Sequence, residues 1–191
     1  DFLYSSNQFI NTKGIVSSYE LLLKNNNSYS KNSSTFNENG KYDIFGTLKF
    51  DSSLPMAKIN SDYTNYLTPR ISLRYSPNGN TDISSKNILL DYNNVFSLNR
   101  IGANHEVEGG ESLSLGLEFK RDNIEGFNNF DLKIANNLRF NENKQLPTKS
   151  KLNKTRSDIF GNLNYNINND FKIGYFFSYD RDLEYSNLEQ I

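Results

Sequence analysis

Residues 42–51 alternate. Tyr42, Ile44, Gly46, Leu48 and Phe50 fall on one side of an extended chain, and Asp43, Thr47 and Lys49 on the other. A strand sends successive side chains to opposite faces, so this spacing predicts a strand with one apolar and one polar face. The same period of two recurs at residues 66–75, where Leu67, Ile71, Leu73 and Tyr75 oppose Thr68, Arg70, Ser72 and Arg74. It is strictest at residues 112–120, with Leu113, Leu115, Leu117 and Phe119 against Ser112, Ser114, Gly116, Glu118 and Lys120. Residues 131–140, 159–167 and 171–179 follow suit, and 2–8 and 15–25 are weaker candidates. Two residues break the pattern: Phe45 sits on a polar side and Asn136 on an apolar one.

The pattern predicts about eight antiparallel strands, roughly 10–12 residues each, longer than the usual ~5–6 and near the ~9–11 that cross a bilayer when tilted. Turn signals join some of them closely, at residues 11–14, 122–126 and 168–170. Other connections are long: 30–40, 77–110, and 141–156 with five basic residues. Long and short connections alternate, as in outer-membrane barrels with long extracellular loops and short periplasmic turns. The 52–63 connection falls on the short side and is long for that place.

Composition narrows the classes. Mean hydropathy is −0.70 and no apolar run approaches a membrane helix. A membrane β-barrel keeps a low mean hydropathy because only alternate residues meet lipid. Tyr and Phe recur at strand ends (Tyr42, Phe50, Tyr66, Tyr75, Phe119, Phe140, Tyr165, Phe171, Tyr179), where a membrane interface would favour them. A soluble β-sandwich also studs its strands with aromatics, so periodicity alone leaves both architectures open. Lys and Arg number 21 against 22 Asp and Glu, which lacks the basic excess of a nucleic-acid surface. With no cysteine, this chain makes no disulfide or thiolate metal site. It begins at Asp1 with neither Met nor leader and stops at Ile191 within strand-like sequence, which reads as an internal piece of a larger protein.

Candidate chemistry is sparse. His105 is the single histidine and has no cluster around it. Glu106, Glu108 and Glu111 form an acidic group, but Glu111 is out of phase with the other two. Gly109 and Gly110 suit backbone conformations closed to other residues. No helix or Lys-Ser/Thr pair follows them, so they are no phosphate cradle. The carboxylates are scattered, and neither an enzyme nor a cofactor is expected. Arg70, Arg74, Lys120, Lys133, Arg139 and Lys172 lie on polar strand sides, which would line a barrel lumen and attract anionic headgroups.

One stretch carries a resemblance. D-x-x-N-x-F at Asp91, Asn94 and Phe96 begins a run with Leu98, Asn99, Arg100 and Gly102 (FSLNR-x-G). V-E-G-G at 107–110 and a strand containing GLEF follow it. Upstream lie LTPR (67–70) and SPNG (76–79). Together these resemble the barrel domain of the LptD family, which delivers lipopolysaccharide (LPS) to the outer leaflet of the Gram-negative outer membrane. The resemblance implies an all-β, antiparallel up-and-down transmembrane barrel of which residues 1–191 form a part, within the C-terminal barrel domain and truncated at both ends. It implies LPS as the transported molecule and an LptE-like plug lipoprotein in the lumen. It also implies periplasmic LPS-bridge proteins reached through a missing N-terminal domain, and a location in the outer membrane. Plug contact would fall on Asn94, Phe96, Leu98, Asn99, Arg100, Gly102, Glu108, Gly109 and Gly110. Where the family usually has an acid–base pair before V-E-G-G, this chain has His105 and Glu106, so Arg100 would need another ion-pair arrangement. The alternatives are another outer-membrane channel or receptor-type barrel, and a soluble Asn-rich β adhesin.

The loop of residues 94–110 holds Val95, Phe96, Leu98, Ile101 and Val107, which need cover. The expectation is that it folds over the lumenal wall, with Phe96 and Leu98 as anchors and Arg100 paired to a lumenal carboxylate or carbonyl.

Overall fold

In the computed structural model the described residues are 1–29, 31, 40–77, 82–101, 107–125, 127–168, 170–180, 182–183 and 186–191. They form one antiparallel sheet whose strands are neighbours in chain order. The strands are β1 (Phe2–Ser5), β2 (Phe9–Ile10), β3 (Val16–Ser28), β4 (Lys41–Ser53), β5 (Met56–Ile59) and β6 (Tyr63–Ser76), then β7 (Gly110–Asn123), β8 (Asn128–Arg139), β9 (Ile159–Asn166), β10 (Lys172–Tyr179) and β11 (Ser186–Gln190). Among the described residues the only helical element is a single 3-10 turn, Lys149–Lys151. The sheet is open, with β1 at one edge and β11 at the other.

Eleven strands stand where alternation predicts about eight, and the difference is informative. Ser53 faces Arg70 and Met56 faces Leu67, so β4 and β5 hold the same register along β6. Between them Leu54 N–H donates to the Pro69 carbonyl at 3.1 Å. Pro55 has no N–H to give the ladder and reads in sequence as a break, yet the strand resumes beyond it. The connection that looked too long is therefore a tight turn at 60–62, closed by Asn60 N–H to the Tyr63 carbonyl at 2.9 Å. In the same way β1 and β2 both pair with β3, with the register slipping by one residue between them. β11 is short and polar and carries no alternation to read.

Short connections (11–15, 60–62, 124–127, 167–171) thus alternate with long ones (29–40, 77–109, 140–158, 180–185), and an up-and-down sheet puts each set at its own end. The turn of 122–126 and the turn around Asn168 include Gly126 and Asn169, which lie outside the described residues, as does most of the 30–40 loop.

Burial is inverted relative to a soluble sheet. On β7 the serines are covered, Ser112 1% and Ser114 2% exposed, while Leu115 and Leu117 stand 42% and 41% exposed. On β6 Arg74 and Ser76 are buried, and Ile71, Leu73 and Tyr75 are exposed. The apolar face of the sheet is bare, and the polar face carries the described parts of the 77–109 and 140–158 loops.

The core sits between that polar face and the loops. Ile83, Leu90, Tyr92, Val95, Phe96 and Ile101 from the 77–109 loop, with Leu146 and Leu152 from the 140–158 loop, pack on Ala135 and Phe160. A second cluster joins Leu98 and Val107 to Leu22 and Phe45. The exception at Phe45 is thereby explained: an aromatic on the polar side of β4 marks where the loop lands. Asn136 also has its reason. Past Ala135 the register of β8 slips before it resumes at the Leu138–Arg156 bridge, and across the slip the Asn136 amide donates to the carbonyls of Ser157 (3.0 Å) and Asp158 (3.3 Å).

Candidate functional site: a loop clamped to the polar wall

The site begins with a local brace. Asp91 and Asn94 bond reciprocally, Asn94 N–H to Asp91 Oδ1 at 2.8 Å and Asp91 N–H to Asn94 Oδ1 at 3.0 Å. The Asn94 amide also donates to the Leu89 carbonyl at 2.9 Å. Short polar side chains that bond nearby backbone favour such turns over regular structure. The brace sets Phe96 against the wall. Its ring packs edge-on to Tyr92 (5.4 Å between centroids), and the Arg70 guanidinium lies 4.2 Å from its centroid. Beneath it is Gly116, where an added Cβ would come within 2.5 Å of Phe96 Cζ. The one glycine in the middle of β7 is what lets the aromatic approach the sheet.

Polar wall residues then take up the loop's backbone. Lys49 Nζ donates to the Phe96 carbonyl at 2.7 Å, Arg74 Nε to the Leu98 carbonyl at 3.0 Å and Ser114 Oγ to the Val95 carbonyl at 3.2 Å. Tyr92 Oη donates to Glu118 at 2.6 Å. Buried carbonyls outside a ladder need such partners; β4, β6 and β7 supply these, and β8 adds one through Arg139.

At the centre is Glu108, fully buried. Arg100 meets it with two donors, Nε to Oε2 at 2.5 Å and Nη2 to Oε1 at 2.6 Å. The remaining Arg100 donors reach Ser112 Oγ (2.6 Å), Asn137 Oδ1 (2.6 Å) and Ser114 Oγ (3.2 Å). Arg139 adds a contact to Glu108 and gives Nη2 to the Gly109 carbonyl at 2.6 Å. Arg74 Nη1 lies 3.9 Å from Glu108. A fork-to-fork pair with every Arg100 donor engaged is the strong form of this interaction. Burial pushes the Glu108 carboxyl up, but the attraction of Arg100, Arg74 and Arg139 more than reverses this and holds it at about 2. Gly110 fits the same geometry: its φ is +94°, and a Cβ there would come within 2.6 Å of Arg139 Nη2. Gly109 contributes a carbonyl rather than an unusual conformation.

The sequence-predicted residues thus converge. Asn94, Phe96, Leu98, Arg100, Glu108, Gly109 and Gly110 belong to one assembly, and Asn99 lies on the same segment. Gly102, His105 and Glu106 lie outside the described residues. Arg100 finds its carboxylate within V-E-G-G itself, at Glu108, rather than on a neighbouring strand. Held by arginines, Glu108 is not free to ligate a cation, and Glu111 is exposed away from it.

Of the polar-side cations, Arg74 and Arg139 are sealed beneath the loop. Arg70 and Lys133 are partly exposed on the same face beside Phe96 and Tyr92. Lys120 pairs with Asp122 at 2.8 Å, and Lys172 is exposed at the short-turn end. Sequence reasoning missed Ser112, Ser114, Asn137 and Lys49 as members of the clamp. Their one signal was small or polar character on the covered side.

The assembly offers no nucleophile–base pair and, among the described residues, no group of three or more potential metal ligands. What it does is fix a long connection to the polar wall of an otherwise up-and-down sheet whose other face is bare and apolar. Comparison with known proteins agrees with that architecture. No curated protein matches the chain. The family model described as LptD, LPS transport system D, matches residues 4–189. The match takes in nearly every residue, so the chain belongs to the LptD family, whose role is LPS transport and assembly at the bacterial outer membrane.

Proposed function

We propose that residues 1–191 are a stretch of wall in a closed outer-membrane barrel of the C-terminal barrel domain, and that the barrel delivers LPS into the outer leaflet. The observation that carries this is the inverted burial: leucines bare on one face, serines and arginines covered on the other. Lipid would meet the bare face and the lumen the covered one. The long connections then lie outside the cell and the short turns in the periplasm. The two open edges of the sheet would pair with further strands, since hydrocarbon tolerates no unpaired edge.

In this reading the 77–109 loop narrows the lumen from the extracellular side, and a plug lipoprotein of the LptE kind meets its upper surface. The side chains of Phe96, Leu98, Arg100 and Glu108 are engaged with the wall. The plug would therefore feel them indirectly, through the shape they give the loop. Arg70, Lys120 and Lys133, still partly exposed on the lumenal side, are placed to attract phosphorylated headgroups.

The test uses the complete protein in cells. Replacing Phe96 and Arg100 together with Ala removes the apolar anchor, which alone costs about 3–5 kcal/mol, and half of the clamp. Co-purification of the plug and arrival of LPS at the surface are both expected to fall while the barrel still inserts. Unchanged plug binding and LPS delivery would reduce the loop to packing alone.

A further inference from the structure

At the short-turn end, the bare face changes character. Phe119 is the last apolar residue of β7 on that side, and the next outward position is Arg121. Register aligns Arg121 with Asn65 on β6 and, one strand further, Lys58 on β5; in the other direction lie Phe130 on β8 and Tyr165 on β9. One transverse row therefore carries two cations and two aromatics on the face assigned to lipid. Arg121 is posed by stacking on Tyr63, 4.5 Å from its ring centroid, and by Nε donating to Asn65 Oδ1 at 2.8 Å. Neither cation has a carboxylate partner among the described residues. The Nη atoms of Arg121 are left for a ligand.

Arg121 borders a cavity of about 470 Å³ lined also by Asp62, Tyr63, Phe119, Phe130, Tyr165 and two asparagines, while Lys58 stands two strands away along the same row. Phe119 and Phe130 meet edge to face at 5.8 Å and form its apolar floor. Asp62, the one acidic lining residue, accepts from Ser61 Oγ at 3.1 Å. An outward arginine would be costly at mid-bilayer, but at a strand end it reaches the headgroup level, where aromatics also concentrate. A guanidinium with a free fork favours a phosphate diester, and an apolar floor below it suits the start of an acyl chain.

We infer that Arg121, framed by Tyr63, Phe119, Phe130 and Tyr165, binds the phosphate of an anionic phospholipid in the periplasmic leaflet, with Lys58 adding positive charge along the same row. This rests on the membrane reading above, which places the short turns at that leaflet. The site anchors the wall at a defined depth by one bound lipid on its outer surface.

The test takes the complete protein with its co-assembled partners into nanodiscs of phosphatidylcholine doped with phosphatidylglycerol, and counts retained lipids by native mass spectrometry. Wild type should retain phosphatidylglycerol in preference to phosphatidylcholine. Lys58→Ala should weaken that preference by about fivefold, and Lys58→Ala/Arg121→Ala by more. Lys144→Ala, on the 140–158 loop at the opposite end of the sheet, should leave it unchanged. Inserted wild type with no such preference would overturn the site while leaving the barrel reading intact, as would an unchanged preference in Lys58→Ala and the double variant, or a loss of bound LPS in its place. Wild type that fails to enter nanodiscs would overturn both.

Discussion

Leu115→Arg is expected to abolish accumulation of assembled protein in the outer membrane. Leu115 lies midway along β7, between Ser114 and Gly116, with its side chain on the bare face. A cation on the lipid side of a barrel costs about 2–4 kcal/mol at the bilayer midplane, and barrel strands close cooperatively. The proper control is a lumenal position that is not packed. Alternation alone would nominate Ser114 next door, but Ser114 is 2% exposed, bonds the Val95 carbonyl and accepts from Arg100. An arginine there would break the clamp. Asn164 is better: it is half-buried on the covered face and its register partner is Asp131, which a new cation would attract. Asn164→Arg should assemble near wild-type levels. Heat-modifiable mobility of the membrane fraction reads both variants, and equal levels for the two would contradict the assignment of faces.

Glu108→Gln is expected to release the 77–109 loop from the wall without unfolding the sheet. The substitution keeps size and shape but leaves Arg100, Arg139 and Arg74 buried around a neutral amide. Removing one partner of a buried ion pair costs about 3–5 kcal/mol because the remaining charge is uncompensated. Here three cations depend on one carboxylate. The strands keep their ladders, so the loss should appear as protease cleavage within the loop of assembled protein, with strand content unchanged. Adding Arg100→Met to Glu108→Gln should restore part of the protection, since one buried cation then leaves with the anion. The clamp also has a defined pH response. Glu108 is held at about 2, below its ordinary 4.5. Its contribution is therefore fully present above about pH 4.5 and is lost as pH falls through about 2. Protection of the loop should survive mild acid and disappear only near that lower limit. Loss at pH 5 to 6 would mean that some other group holds the loop.

The strands were the legible part of this protein. β4, β6, β7, β8, β9 and β10 all announce themselves by alternation, because a sheet with one bare apolar face and one covered polar face imposes the period of two more strongly than propensity does. β5 was hidden because Pro55 reads as a terminator while the Leu54–Pro69 hydrogen bond carries the ladder past it. The apolar residues of the loop signalled that it must be covered, and Phe45 signalled where, although a single aromatic on a polar side could equally be a local fault. The partnership of Glu108 was not legible. Arg74, Arg100 and Arg139 converge on it from β6, the loop and β8, and such spacings carry no period. Sequence does show that Arg100 needs an anion; only the register of β6, β7 and β8 brings Arg74, Arg139, Ser112 and Asn137 around the same carboxylate. Gly116 had the plainest hidden reason: nothing in the alternation of β7 says that a ring from twenty residues upstream requires the absence of a Cβ.

In the proposed barrel, one face of this sheet meets lipid and the other meets a loop-filled lumen. In a complete protein with no other reactive cysteine, single cysteines can be placed at residues 113, 115, 117 and 119 on the bare face and at residues 162 and 164 on the covered face, and labelled with an environment-sensitive fluorophore in bilayers containing nitroxide-labelled lipid. Quenching by lipid should be strong at 113, 115, 117 and 119 and weak at 162 and 164. Quenching by lipid that is equal on the two sets, or stronger at 162 and 164, would contradict this assignment of faces.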